Sequence, residues 1–273
     1  MSYFGDVLGL RLDDVGACSK RYEVYSDWDW KWKKFKVSGN WLFLKYLPPF
    51  KKWGPYREMT PDEWLKIYRL LESYKAKLTV AVTAAWPESE NRLVSFPQKF
   101  PEEAAVLKEG VSEGLIEIAN HGLTHCVLEN NAFKPKWFSS NCRYHREFWK
   151  WIPPEVQEDH IRKSQEILQR FFQTEVVTFV PPGNVFTDVT LEIAERFGLR
   201  YISCNTVPRL HGGIAIVGER RVLSFHDKDI VVNGVSWLCK LLRNNIGKQF
   251  CFIKDLGEMM LASTRKEIIW LSK

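Results

Sequence analysis

The chain has 273 residues, enough for one large α/β domain with a substantial core. Hydrophobic residues make up 45% and charged residues 26%, which excludes a disordered or low-complexity protein. A net charge of +6 is too modest to point to nucleic acid, which is not expected as a partner. The N-terminus, Met1-Ser2-Tyr3-Phe4-Gly5-Asp6, has no basic region followed by an apolar run. No apolar stretch approaches the ~20 residues of a membrane helix. The six cysteines are scattered without a CxxC pair, so free thiols and a cytoplasmic location are expected.

Residues 7–12 are a short apolar run broken by Arg11 and ended by two aspartates, and they read as a buried strand with a polar end. Residues 60–63 open a helix: Thr60 caps it, Pro61 suits its first turn and Glu63 completes a capping box. A strand is predicted at 78–83, a helix at 101–113, a strand at 115–119 and a long amphipathic helix at 154–172. Strands follow at 176–180 and 201–204, with a helix at 188–197 between them. Residues 221–225 and 250–253 are further strands, with helical patterns at 232–243 and 256–264. Strands alternate with helices, which predicts a parallel sheet, open or closed into a barrel. In either case the active site lies at the carboxyl ends of the strands.

Residues 20–57 interrupt the alternation with Trp28, Trp30, Trp32, Trp41, Trp53 and several lysines. So long a connection between a strand and its helix is unusual and often functional. It packs its aromatics on the barrel, or it offers a sugar-stacking or anionic-membrane surface. Since it leaves the strand that ends in aspartates, it should border the mouth of the site, with at least one of Trp28, Trp30, Trp32 or Trp41 enclosing substrate.

Four short motifs carry the chemistry. Arg11-Leu12-Asp13-Asp14 puts adjacent carboxylates at a strand end, where their repulsion is relieved if one binds a metal while the other acts as base. Alone, such a pair reads as a solvated turn. His121-Gly122-Leu123-Thr124-His125 follows a strand, and histidines four apart on a helical turn suit one metal. Val180-Pro181-Pro182-Gly183-Asn184 is a rigid turn at another strand end. Leu223-Ser224-Phe225-His226-Asp227 ends a strand in a histidine suited to general-acid work, or to a plain turn.

Together, in this order, the four motifs resemble the polysaccharide deacetylase superfamily. Glu147-Phe148 resembles a little-characterised branch of it, and the likeness runs over residues 7–230, apart from the insertion. The resemblance implies a distorted (β/α) barrel with fewer than eight strands. It implies one divalent ion, usually zinc, on Asp14, His121 and His125, with Asp13 as general base and His226 as general acid. Arg11, Pro181, Pro182, Gly183, Asn184 and Glu147 are expected around the substrate. The implied activity is removal of an N-acyl group, acetyl or formyl, from an amino sugar in a glycan, sugar nucleotide or lipid-linked precursor. The alternative is a protein of this fold, weak or inactive in catalysis, that binds carbohydrate or an anionic membrane surface.

Two departures from the family pattern stand out. The proline turn usually begins with an arginine that pairs with the catalytic aspartate, and here that place is Val180. The acid that usually accompanies the late histidine is missing from Cys204-Asn205-Thr206. Residues two apart on a strand share a face. Arg11 is therefore expected to orient Asp13 from within the first strand.

Overall fold

Val7–Val15 forms the first strand, β1, and its near-continuous burial is that of a strand inside a parallel sheet. The computed structural model describes residues 6–22, 24–25, 29–32, 35–38, 47, 52–53, 57–89, 92–126 and 146–271. Helix α1, Pro61–Ser73, starts where its signals stand. The Glu63 N–H donates to the Thr60 hydroxyl at 3.3 Å, and the Thr60 N–H donates to the Glu63 carboxylate at 2.8 Å. In chain order there follow β2 (Leu78–Val82), α2 (Pro101–Ser112), β3 (Ile116–Asn120), α3 (Pro154–Phe172), β4 (Thr178–Phe179), α4 (Asp188–Arg196) and β5 (Tyr201–Cys204). The chain continues through β6 (Arg209–His211), β7 (Ile214–Gly218), β8 (Val222–His226), α5 (Asp227–Asn233), α6 (Ser236–Asn244), β9 (Gln249–Cys251) and α7 (Ile253–Leu271).

Seven parallel strands run in the order β7-β5-β4-β3-β2-β1-β8. Strand β6 adds antiparallel at the β7 edge, and β9 pairs with the start of β1. Among the described residues the two ends of this path do not pair, so the sheet is a distorted (β/α) barrel left open. No described helix is long and apolar enough to cross a membrane.

Strand alternation gives the sheet two unlike faces. Leu10, Leu12, Val80, Val82 and Ile118 point to the helices and join Trp64, Ile67 and Leu71 of α1 in one apolar core. Full burial of each such side chain stabilises the fold by about 1.5–3 kcal/mol. The opposite face carries Arg11 beside Thr79, Thr79 beside Glu117, and Ala81 beside Ala119. There Glu117 accepts from the hydroxyls of Thr79 at 2.6 Å and Thr178 at 2.5 Å. Burial raises its carboxyl above the usual range, against the pull of those hydrogen bonds. A buried arginine is tolerable on such a face because polar partners already line it.

Three elements differ from expectation. The helix predicted at 232–243 is two, because Gly234 takes a left-handed φ of 73° between α5 and α6. The β6–β7 hairpin was not anticipated, although its two-residue Gly212-Gly213 loop is a hairpin signal. A second unanticipated hairpin pairs Ala85–Ser89 with Arg92–Ser95. In the insertion, Val24–Tyr25 pairs with Lys52–Trp53 and Asp29–Trp32 with Phe35–Ser38. Trp30 is exposed. Trp28 and Trp41 lie outside the described residues, as do the side chains of Trp32 and Trp53.

Candidate active site

The ends of β1, β3, β4 and β8 meet at the carboxyl edge of the sheet. Ordinary alternation would send Asp13 and Asp14 to opposite faces. A register shift between Leu12 and Val15, with Asp14 at a left-handed φ of 70°, turns both carboxylates into one cavity. Aspartate tolerates that backbone better than most residues. Behind the pair, the Arg11 guanidinium donates to both Asp13 oxygens, from Nε at 2.8 Å and from an Nη at 2.7 Å. Its other Nη donates to Ser203 Oγ on β5 at 2.7 Å. All three residues are buried. Val180, where the resembled family carries an arginine, packs instead against Ala81 and Ala119.

The two histidines converge on Asp14. His121 Nε2 lies 3.2 Å and His125 Nε2 3.1 Å from the same Asp14 oxygen. One ligand atom from each of the three lies within 4.8 Å of the others. The opposite ring nitrogens are engaged: His121 Nδ1 with the Val180 carbonyl at 2.6 Å, and His125 Nδ1 with Ser19 Oγ at 2.9 Å. The bond to the carbonyl holds the His121 ring with Nε2 facing Asp14, the orientation a metal ligand needs. Burial disfavours the ionised form of Asp14, but His125, His121 and His226 outweigh it and hold its carboxyl well below the usual range.

The segment bearing these histidines is not the helical turn expected from their spacing. It is a loop after β3, with left-handed backbone at Gly122 (φ 77°) and His125 (φ 57°). Glu147 holds it. Its carboxylate accepts the N–H groups of Leu123 at 2.9 Å, Thr124 at 3.3 Å and His125 at 2.9 Å, and lies 2.5 Å from His160 Nδ1 on α3. A side chain at position 122 would put its Cβ 2.3 Å from a Glu147 oxygen, so the loop takes this path only with glycine there. Cys18 and Cys126 add a further contact between this loop and the segment after β1, with Sγ atoms 2.9 Å apart.

His226 ends β8, directly beside Asp13 in the parallel register. Its Nε2 lies 3.9 Å from Asp14, and its Nδ1 lies 3.9 Å from Asp229, which also accepts the His226 N–H at 2.9 Å. Asp229, in the first turn of α5, is thus the carboxylate beside an imidazole whose usual partner position carries none. Below, Lys20 bridges Glu58 at 2.5 Å and Asp227, tying the segment after β1 to the start of α5. Burial opposes the charge on Lys20, but Asp227 and Glu58 hold it ionised.

The cavity encloses about 260 Å³. That is below the roughly 300–1,000 Å³ of sites for drug-sized ligands, so it encloses one small unit rather than a long chain. Asp13, Asp14, His121, His125 and His226 line it, as do Pro181, Gly183 and Asn184 of the proline turn. Glu147 corrects an expectation. At 1% exposure it contacts the histidine loop and cannot touch substrate. Arg11 and Pro182 are likewise not lining residues, and Arg11 sits behind Asp13. Ser19, Ser203, His160 and Asp229 were not anticipated. Ser19, Ser203 and His160 lie far along the chain from the groups they meet and carry no motif, the Val180 carbonyl is backbone, and only Asp229, three residues after His226, had a legible capping spacing. Arg146 and Lys228, which also line the cavity, were missed as ordinary surface charges.

The profile of the polysaccharide deacetylase family matches residues 54–202, more than half of the chain. The match takes in both histidines and the proline turn and begins after the aspartate pair. No curated protein matches. Among solved structures, the Xyl-CE4 domain of a multidomain xylanase from the hindgut metagenome of Trinervitermes trinervoides is 12% identical, with a TM-score of 0.48 over 93% of this chain and 91% of that one. A family 4 carbohydrate esterase from Streptomyces lividans, in complex with acetate, is 12% identical, with a TM-score of 0.46 over 91% and 92%. A CE4 family pseudoenzyme from Bacillus anthracis is 15% identical, with a TM-score of 0.46 over 73% of this chain. This chain spans 62% of that protein's length, less than two thirds.

Proposed function

We propose that this chain, which belongs to the polysaccharide deacetylase family, is a metal-dependent hydrolase that removes an N-acyl group, acetyl or formyl, from an amino sugar. The observation carrying the reading is the convergence of Asp14, His121 and His125, whose donor atoms lie within 4.8 Å of one another beside the Arg11-paired Asp13. The donor set fits a divalent ion. It offers two imidazoles and a carboxylate, with the outward nitrogen of each ring already bonded to Val180 or Ser19. Zinc is the expected ion for these ligand types. When bound, the ion would supply Lewis-acid activation of water and of the acyl carbonyl.

The chain's own residues do the rest. Asp13 takes the proton of the attacking water as general base. Arg11 fixes the direction of its carboxylate and balances its charge inside the sheet. His226, at the facing rim, gives a proton to the departing sugar nitrogen, because an amine leaves poorly as an anion. Asp229 accepts the His226 N–H and so holds that residue at the rim, with its carboxylate 3.9 Å from Nδ1. Pro181, Gly183 and Asn184 shape the wall against which the acyl group rests. The scattered cysteines support a reducing, cytoplasmic setting, and hence an intracellular precursor as substrate.

Metal analysis of the purified protein, combined with acetate and formate release from a panel of N-acyl sugars, tests the reading. The expected result is one divalent ion per chain, lost in His125→Ala, and acyl release abolished in Asp13→Asn with the metal retained. A protein that binds no divalent ion and releases no acyl group would end it.

A further inference from the structure

Beside the residues assigned to metal binding and proton transfer, two thiols meet. Cys18 lies in the segment after β1 and Cys126 follows the second histidine of the loop after β3, 108 residues away in sequence. Their Sγ atoms lie 2.9 Å apart, and both side chains are buried. The Cys18 thiol also donates to the Thr124 carbonyl at 3.0 Å, so it is already drawn onto the loop. The Thr124 hydroxyl donates to the Cys126 carbonyl at 3.0 Å and accepts the Cys126 N–H at 3.3 Å, which fixes the backbone that carries the second thiol. Trp86 packs against the pair. A disulfide bond is about 2.05 Å long, so a closure of about 0.9 Å brings the two sulfurs to bonding distance.

Placement gives this contact its meaning. Cys18 precedes Ser19, and Cys126 follows His125. Ser19 Oγ lies 2.9 Å from His125 Nδ1. Each thiol is therefore the chain neighbour of one partner in the bond that orients a metal-ligating ring. A covalent link between the neighbours holds that bond closed. It also closes a loop of about 108 residues, and a cross-link of that span removes much freedom from the unfolded chain.

We infer that Cys18 and Cys126 form an oxidisable dithiol, a modification site whose disulfide clamps the histidine loop to the segment after β1 and keeps His125 in place as a ligand. The reagent class is a hydroperoxide, small enough to reach a buried pair through brief local opening. In the first step one sulfur bonds to a peroxide oxygen and the O–O bond breaks. The thiol proton leaves with the other oxygen as water, and the sulfur is now a sulfenic acid. In the second step the other sulfur bonds to the first and the S–O bond breaks. The hydroxyl leaves with the second thiol's proton as a second water. Two electrons pass from the pair of thiols to one peroxide. A partner at contact distance captures the sulfenic acid before another peroxide does, which keeps the change reversible by a dithiol reductant. Retention of the ion rests on the proposed metal centre; the cross-link and its effect on unfolding do not.

The test treats metal-replete protein with hydrogen peroxide and reads the linkage by non-reducing peptide mass spectrometry. The expected result is one cross-link, Cys18 to Cys126, reversed by dithiothreitol. Tm should rise by about 4 °C or more on oxidation. Metal should pass to a competing chelator about threefold or more slowly. Neither change should appear in Cys18→Ala or Cys126→Ala treated in the same way. If one variant fails to fold the other serves, and if both fail, reversal of both changes by dithiothreitol in the unsubstituted protein takes their place. Four results would overturn the inference: both thiols left intact under peroxide that oxidises Cys239, sulfinic acid at either position, a cross-link to a different cysteine, or a Cys18–Cys126 cross-link that fails to raise Tm. In protein that binds metal, release that is unchanged or faster after cross-linking would overturn it as well. A protein that binds no divalent ion, yet forms the cross-link and gains in Tm, would sustain the inference while ending the hydrolase reading.

Discussion

Replacing Arg11 with methionine keeps the length of the side chain and removes the charge. Asp13 is then left 5% exposed with no cation beside it, and the Ser203 hydroxyl loses its guanidinium donor. Breaking a buried ion pair from one side costs about 3–5 kcal/mol, a large share of a domain's typical ~5–15 kcal/mol. Two of the three lost bonds are charge-to-charge at 2.7–2.8 Å, which places the expected loss toward the upper half of that range. Urea unfolding of Arg11→Met, Asp13→Asn and the double variant measures the coupling directly. The double variant should be less destabilised than the sum of the singles, with a coupling of about 1.5 kcal/mol or more. Arg162→Met, at the exposed pair with Asp159, serves as the control and should show no comparable loss. Turnover of Arg11→Met should fall while metal content is unchanged, since Asp14, His121 and His125 keep their partners. A coupling below about 0.5 kcal/mol, or normal turnover, would refute the argument that Arg11 does from β1 what an arginine at position 180 would do.

Glu147→Gln keeps the shape beneath the histidine loop but removes the charge and turns one of the two oxygens that share its three N–H groups into a donor, so metal affinity should fall about 10–100-fold with the fold retained. Equilibrium dialysis against a chelator checks this, and unchanged affinity would show that the loop holds itself. Among the thiols, burial pushes Cys204 up to about 11, against Arg11 and Arg209, and burial with Asp255 pushes Cys251 up to about 12. A raised pKa means less thiolate, roughly a thousandth or less of either group at pH 8. Among the described cysteines, half-buried Cys239 should therefore alkylate first in the native protein, with Cys204 and Cys251 reacting only on unfolding. Mass spectrometry of a labelling time course reads the order, and early labelling of Cys204 would contradict it.

The reach of the sequence followed the range of the interactions. Periods and caps are local, so α1 with its capping box, α3 at Pro154–Phe172 and β5 at Tyr201–Cys204 were legible residue by residue. Alternating strands and helices determined a parallel sheet, and with it the edge where chemistry gathers. The side-chain period of a strand was enough to pair Arg11 with Asp13. What the sequence did not carry depended on backbone that breaks those periods or on partners far along the chain. The left-handed turn at Asp14 decides that two adjacent carboxylates face one cavity. The histidine spacing suggested a helical turn, but a loop held by a glutamate 22 residues beyond His125 replaced it. Ser203 reaches Arg11 across 192 residues, and Ser19 reaches His125 across 106. Such pairings arise only when the sheet curves its strand ends together, because a lone serine has no spacing by which to be recognised. The sequence thus determined which groups were available for chemistry, and the tertiary structure decided which of them meet.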